Sequence, residues 1–310
     1  MKSRQFFIGL ASVFLGVVLY LSFQPVSEIK LKEHSIANIK QSSDKDGGRL
    51  LTSGGVQQKE VFDLTSVLAI SSEYQSTRDL HSLFTKYRLS NNPTEKFFAW
   101  KAIDFCSRYL LSTNRDIFVS QPEPLPGLTQ EQDAMNQRLF GKCAGFKEFT
   151  PTQYRAQLKQ VQESAINGGS NSIAAVQANE LFITHKNEED AVKLAKQVLQ
   201  SKEPDAIMAL VDSMQVYWDA KKINQQNSGK PPEADTSAVA LRLAACDLGR
   251  DCSKDALDMQ VMCVYAGSCE DSLESRTMKL LTPAEADDVR QKMKIYLAAI
   301  KQGDLKIFGL

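Results

Sequence analysis

The chain has 310 residues, of which 43% are hydrophobic and 24% charged, a balance typical of globular proteins and not of disordered ones. Its 37 basic and 37 acidic side chains cancel, so it lacks the net positive charge that drives non-specific binding to nucleic acids. The sequence therefore predicts no nucleic-acid partner.

Residues 1–26 have the pattern of a short cytoplasmic tail followed by a transmembrane signal anchor. An uncharged apolar run at residues 6–23 directly follows Lys2 and Arg4. At about 1.5 Å per residue, such a helix extends about 27 Å, enough to cross the hydrocarbon core of a bilayer. The basic residues favour a cytoplasmic N-terminus, which predicts a single pass through the bacterial inner membrane and a periplasmic C-terminal bulk. A cleaved signal peptide is the alternative, although residues 24–28 contain no good cleavage site.

The rest of the chain is predicted to form three parts. Residues 27–58 are rich in Ser, Lys, Gly, Gln and Asp, which predicts a flexible tether. A polar segment with two prolines at residues 224–232 separates a helical body at 60–222 from a cysteine-rich helical cap at 235–310.

Helix-period patterns dominate from residue 60 onwards, and alternating β-branched runs are few, which predicts an all-α fold. Three helix starts fit the capping box, in which a threonine and a glutamine or glutamate satisfy two backbone amides: Thr129 with Gln132, Thr150 with Gln153, and Thr282 with Glu285. The predicted helices lie near residues 60–73, 77–88, 93–111, 129–140, 151–166, 171–184, 188–200, 204–221, 236–247, 254–265 and 283–301.

Helices of this length, joined by short turns, predict either an irregular helical bundle or a short α-solenoid of helical hairpins. The segment that begins at Asn167 is similar to the one that begins at Ser201, at an offset of 34 residues. This part of the chain weakly resembles tetratricopeptide arrays, which have that repeat length. The resemblance implies stacked hairpins, with the C-terminal part as a cap.

The six cysteines predict disulfides, because an even cysteine count in an exported chain is typical of a disulfide framework. Residues six apart cannot be bridged within one continuous helix, and Gly249 and Gly267 supply a break inside each Cys-x5-Cys pair. Spacing leaves the connectivity open, and the preferred pairing is Cys106 to Cys143, Cys246 to Cys252 and Cys263 to Cys269.

A zinc site is the alternative use of these cysteines. The wide spacing and the lack of a histidine after His185 argue against it, so no metal is predicted.

The C-terminal part resembles a group of uncharacterised exported helical proteins of proteobacteria. The resemblance lies in the two Cys-x5-Cys segments at 243–252 and 263–269, the Leu-Thr-Pro at 281–283 and the residues at 301–305. Residues 143–146, Cys-Ala-Gly-Phe, are also similar to that group. This likeness implies a disulfide-bonded helical protein and carries no established activity.

Candidate catalytic residues are few, because no familiar enzyme or cofactor-binding signature occurs, and no cofactor is predicted. Glu73 is the best single candidate. It follows an apolar helical run whose burial would raise its pKa, which suits the general acid of an envelope hydrolase acting on peptidoglycan. An ordinary exposed glutamate at a helix end remains the favoured interpretation of this residue.

Two aromatic clusters offer a possible binding surface. Phe97 and Trp100 lie off the face that core spacing predicts for their helix, and Tyr217 and Trp218 form the second cluster. Core packing is the favoured interpretation, and a groove for a ligand or peptide is the alternative.

Together these features predict a membrane-tethered periplasmic helical protein that binds an unidentified envelope protein, as a scaffold or assembly factor without catalysis. Two alternatives stay open. One is the peptidoglycan hydrolase with Glu73 as its acid, and the other is a steric chaperone for a secreted protein.

Overall fold

The protein is described here by a computed structural model covering residues 64–111, 117–122, 125–184, 187–226, 236–267, 269 and 271–310, with side chains in 222–226 excluded. The chain divides into two units, Met1–Lys59 and Glu60–Leu310, and all described residues belong to the second. The predicted transmembrane segment at 6–23 and the tether at 27–58 lie outside the described residues. Within the described ranges, no helix is both long and apolar enough to span a membrane.

The predicted all-α fold is confirmed, since the described residues contain twelve α-helices and no strand. Short 3₁₀ turns lie at Ala144–Glu148 and Lys306–Phe308. The helices are α1 (Leu64–Ser76), α2 (Leu80–Tyr87), α3 (Pro93–Leu110), α4 (Gln130–Gly141), α5 (Pro151–Gly168), α6 (Asn171–Thr184), α7 (Glu188–Ser201), α8 (Pro204–Gln226), α9 (Ser237–Asp247), α10 (Leu257–Ala266), α11 (Leu273–Leu280) and α12 (Pro283–Gln302).

All three predicted capping boxes are present, at the starts of α4, α5 and α12. At α5 the Gln153 amide donates to Thr150 Oγ1 over 3.2 Å, and the Thr150 amide donates to Gln153 Oε1 over 2.8 Å. Each box satisfies two backbone donors that a helix start leaves without an intrahelical partner. The sequence therefore fixes these three starts locally.

One helix was not predicted, and the bounds of several others differ from the prediction, such as the end of α8 at Gln226 instead of near residue 221. Helix α11 was not predicted, although Ser272 accepts a hydrogen bond from the backbone amide of Ser275 and so caps its start. It has only eight residues, of which only Leu273 and Arg276 are buried, so its apolar pattern is too short to identify a helix. Helix α10 begins at Leu257, three residues after the predicted start near 254.

The buried hydrophobic residues form two clusters. The first lies mainly among α1 to α5, with Ile173 of α6, and is rich in aromatic side chains, and the second lies among α6 to α12. Helix α10 contributes Leu257 and Val264 to the first cluster and Met259 to the second. Residues of the predicted cap at 235–310 are thus distributed over both clusters, and Glu60–Leu310 is one compact unit.

Helix α6 packs against both α7 and α8, and α8 in turn packs against α9. Small side chains lie in the contacts of α6, since Ala174, Ala175 and Ala178 are all buried. Alanine allows two helix axes to approach closely, because its side chain fills little space between them. The middle of the chain is therefore built of closely packed helical neighbours.

Three disulfides are present, with the pairing preferred from the sequence. Gly249 and Gly267 have φ values of 112° and 71°, which residues with a Cβ rarely adopt. Each glycine therefore provides the predicted break inside its Cys-x5-Cys pair. The paired Cα atoms are 5.4 Å apart in Cys106–Cys143, 5.8 Å in Cys246–Cys252 and 4.5 Å in Cys263–Cys269.

Candidate functional site

An open groove of about 200 Å³ lies between the α2–α3 turn and helix α5. A second, smaller cleft of about 60 Å³ lies beside Tyr217. The residues that line the groove are Arg88, Leu89, Ser90, Asn91, Lys96, Gln157, Gln160, Val161 and Ser164.

Local hydrogen bonds shape the turn that forms one wall of this groove. Ser90 Oγ accepts from the Asn92 amide over 2.9 Å, and Asn92 Oδ1 accepts from the Thr94 amide over 2.9 Å. The second bond is an N-cap, and it starts α3 at Pro93. The opposite wall is held in place because Val161 of α5 is buried in the first core cluster. The groove is therefore a consequence of packing α5 against α3.

The groove is positively charged. Arg88 and Lys96 are both half-buried, and they are the only charged side chains that line it. Arg88 Nη1 donates to Gln157 Oε1 over 3.2 Å, and the guanidinium lies 5.7 Å from the centre of the Phe84 ring. Within the described residues, neither cation forms an ion pair with an acidic side chain.

Charge and shape together suit an anionic ligand. A half-buried cation has lost part of its water shell, so a carboxylate or phosphate oxygen placed beside it gains more than it would at an open surface. Amide and hydroxyl groups from Gln157, Gln160 and Ser164 can donate further hydrogen bonds. Leu89 stands at the rim and is 77% exposed, so the site also offers an apolar contact.

Glu73 does not have the environment that was predicted for it. Lys86 Nζ lies 2.8 Å from Glu73 Oε2, and the Tyr87 hydroxyl donates to the same oxygen over 2.6 Å. Burial raises the pKa of Glu73, but the hydrogen bonds from Lys86 and Tyr87 outweigh that effect and lower it below the usual value. A general acid needs a raised pKa, so the expectation of a raised pKa at Glu73 was wrong.

The four aromatic residues of the predicted binding surface are used for internal packing. Phe97 and Tyr217 are 5% and 6% exposed, which agrees with the core packing favoured from the sequence rather than with the alternative of a binding groove. Trp100 packs edge-on against Phe97, with ring centres 5.8 Å apart. Trp218 Nε1 donates to the Phe308 carbonyl over 3.0 Å. These residues belong to different core clusters and therefore do not share one face.

A buried ionic cluster was missed by the sequence analysis. Arg250 Nε lies 3.2 Å from Asp205 Oδ1, and Arg250 Nη2 donates to Asp258. The Ser71 hydroxyl donates to the second oxygen of Asp205. Burial raises the pKa of Asp258, but nearby Lys101 and Arg250 outweigh it and hold that pKa at about 2. The cluster joins α1, α8 and α10 to the loop inside the Cys246–Cys252 disulfide.

Glu203 is the most deeply buried glutamate in the described ranges, being 3% exposed. Asn171 Nδ2 donates to Glu203 Oε1 over 2.5 Å, whereas Glu203 Oε2 has no hydrogen-bond partner. Burial raises the pKa of Glu203, and the hydrogen bond from Asn171 only partly offsets that effect. Glu203 lines neither of the two concave sites described above.

Within the described residues, no group of histidine, cysteine, aspartate and glutamate side chains could hold a metal ion. No protein-family model, no curated protein and no solved structure matches this chain.

Proposed function

We propose that this protein is a membrane-tethered periplasmic protein that acts through protein–protein interaction, and that its Arg88–Lys96 groove binds an acidic segment of the partner. One observation carries the proposal: two half-buried cations share a concave site that no acidic side chain lines. A partner carboxylate supplies the missing opposite charge.

The geometry of the groove favours carboxylates carried by an extended peptide. The planar guanidinium of Arg88 can bind both oxygens of one carboxylate, and the ammonium of Lys96 can bind a second. Side-chain amides of Gln157 and Gln160 can pair with backbone groups of the same segment. Exposed Leu89 gives the rim a hydrophobic contact for a neighbouring apolar residue.

A peptide fits these features better than an anionic membrane surface does. Stable electrostatic attachment to lipid headgroups uses a cluster of several basic residues, each worth only about 1 kcal/mol. The groove offers two cations, recessed between helices, so a flat headgroup layer would leave its polar walls without partners.

Other features support the cellular setting of the proposal. The apolar run at residues 6–23 and the tether at 27–58 would hold the helical unit near the membrane. Three disulfides support an oxidising compartment, since such bonds persist mainly outside the cytosol. The packing of α6 against α7 and α8 agrees with the helical hairpins of scaffold proteins.

The proposal is tested by photocrosslinking in cells. The full-length protein carries p-benzoylphenylalanine in place of Leu89 or, as a control outside the groove, in place of Ile307 in the C-terminal 3₁₀ turn, which is 50% exposed. We expect an adduct with one envelope protein from the Leu89 position only, mapped by mass spectrometry to a segment rich in Asp and Glu.

Charge variants decide whether the groove makes the contact. Arg88→Gln with Lys96→Gln should reduce the adduct about tenfold, because two charge-assisted contacts are lost. Lys159→Gln with Lys193→Gln removes the same net charge from exposed positions outside the groove and should leave the adduct unchanged. An adduct that survives in the groove variant, or that falls equally in both variants, would overturn the proposal.

A direct binding assay separates peptide from lipid. Fluorescein-labelled hexaglutamate should bind the purified full-length protein in a salt-sensitive way and lose affinity only in the groove variant. If the groove variant instead loses only its binding to phosphatidylglycerol vesicles, the site recognises lipid headgroups and the peptide proposal is wrong.

A further inference from the structure

We infer that the Cys246–Cys252 disulfide is a site of thiol–disulfide exchange, at which a dithiol reductant releases Arg250 from its buried position between Asp205 and Asp258. The inference is independent of the groove and rests on the loop that the two cysteines enclose.

The loop folds back beneath the end of α9. Cys246 lies in the last turn of that helix, and Gly249 turns the chain with a φ of 112°. The Arg250 amide donates to the Ala245 carbonyl over 3.3 Å, which ties the loop backbone to the end of the helix. At the far end, the Cys252 carbonyl accepts from the Leu273 amide over 3.0 Å. The segment that reduction can free is therefore the short stretch between the two cysteines.

Exposure makes this disulfide reachable by a reductant. Cys246 and Cys252 are both half-buried, whereas Cys106 and Cys143 are completely buried. Exchange requires an attacking thiolate to approach a disulfide sulfur in line, so burial protects Cys106–Cys143. The Cys263–Cys269 bridge has one buried cysteine, Cys263, which is 1% exposed.

The loop matters to the rest of the unit through Arg250. Its side chain is 5% exposed and contacts Asp205, whose side chain is 3% exposed, and Asp258. In the described part of the chain, Arg250 is the only basic side chain that forms an ion pair with either carboxylate. Releasing the loop therefore removes the cation that bridges Asp205 of α8 and Asp258 of α10.

The chemistry is a simple exchange. A dithiol gives two electrons and two protons, the sulfur–sulfur bond of Cys246–Cys252 breaks, and two thiols form on the protein. The dithiol becomes the disulfide. Without the covalent closure, the loop regains conformational freedom. Because the entropy of closing so short a loop is lost, the population of the open form should rise about 40-fold.

Trypsin reports the release of Arg250, because cleavage after this residue requires the loop to leave its buried site. We would treat the full-length oxidised protein with stepwise dithiothreitol, take one portion for alkylation of free cysteines, and digest a parallel portion briefly with trypsin. Cleavage after Arg250 should rise about 40-fold when Cys246 and Cys252 become alkylatable, since native-state proteolysis follows the population of the open form. Cys106 and Cys143 should still be protected at that point.

Internal references distinguish local release from general unfolding. Cleavage after Arg242 in α9 and after Arg276 in α11 should stay within about twofold of the oxidised value while only the loop opens. The Cys246→Ser/Cys252→Ser variant should show the fast cleavage after Arg250 without any reductant. The matched Cys263→Ser/Cys269→Ser variant, which removes a disulfide of the same spacing, should not.

Two results would overturn the inference. One is unchanged cleavage after Arg250 once both loop cysteines are reduced, and the other is cleavage that rises equally at all three arginines. If the serine variant does not accumulate as folded protein, stepwise reduction of the unaltered chain still yields one of these outcomes or the expected one.

Discussion

Replacing Arg250 by methionine separates the charge of this side chain from its bulk. Methionine is of similar length and can pack in the same place, but among the described residues it leaves Asp205 only the Ser71 hydroxyl as a partner. Removing one member of a buried ion pair costs about 3 to 5 kcal/mol, because the remaining charge is left uncompensated. We expect the Arg250→Met variant to lose about that much free energy of unfolding.

The measurement is urea unfolding of the full-length protein, followed by the fluorescence of Trp100 and Trp218. Arg290→Met is the matched control. Its partner Asp287 is 2.9 Å away, but both side chains are at least half exposed, so the loss should be below about 0.5 kcal/mol. If Arg250→Met costs no more than the control, the ionic cluster does not stabilise the fold and the reasoning is refuted.

The same variant has a pH signature. The pKa of Asp258 in the folded protein is about 2, below its ordinary value of 3.8. A lowered carboxyl pKa means that ionised Asp258 stabilises the fold above about pH 4, and that this contribution disappears as the pH falls towards about 2. The unaltered protein should therefore lose stability over this range more steeply than Arg250→Met, which lacks part of the stabilising charge.

Two further substitutions test other buried residues. Glu203→Gln should raise the free energy of unfolding by about 1 kcal/mol near pH 8, because it removes a buried carboxylate whose raised pKa reports a cost of ionisation. The gain should vanish near pH 4, where Glu203 is protonated in both the folded and the unfolded protein. Urea midpoints that show the same gain, or no gain, at both pH values would contradict this prediction. Phe308→Ala should cost about 3 to 5 kcal/mol, since this ring is fully buried 4.8 Å from the Tyr296 ring. Because Trp218 donates to the Phe308 carbonyl, its emission should shift as well, and unchanged emission would show that the contact is unimportant.

Local signals explain which parts of the fold could be predicted. Thr129, Thr150 and Thr282 start helices through hydrogen bonds that span three residues, so sequence alone contains the information. Gly249 and Gly267 act in the same local way. Helix α11 was missed because it is short, and because its buried Arg276 packs through hydrogen bonds to the Ala266 and Gly267 carbonyls at the end of α10, which no local pattern shows.

The candidate site could not be predicted, because its parts come together only through packing. Arg88 and Lys96 flank the α2–α3 turn, and Gln157 lies about two turns into α5, so no short motif connects them. Glu73 shows the opposite error. The apolar run before it suggested an acid with a raised pKa, but Lys86 on the next helix reaches its carboxylate and reverses the shift.

Helix α10 has a consequence for how the folded unit holds together. It buries Leu257 and Val264 in one core cluster and Met259 in the other, so it cannot leave one without opening the second. A simple array of repeats loses its units one after another from the ends, because each unit contacts only its neighbours. In this protein a shared helix couples the two cores, so Glu60–Leu310 should unfold cooperatively rather than hairpin by hairpin.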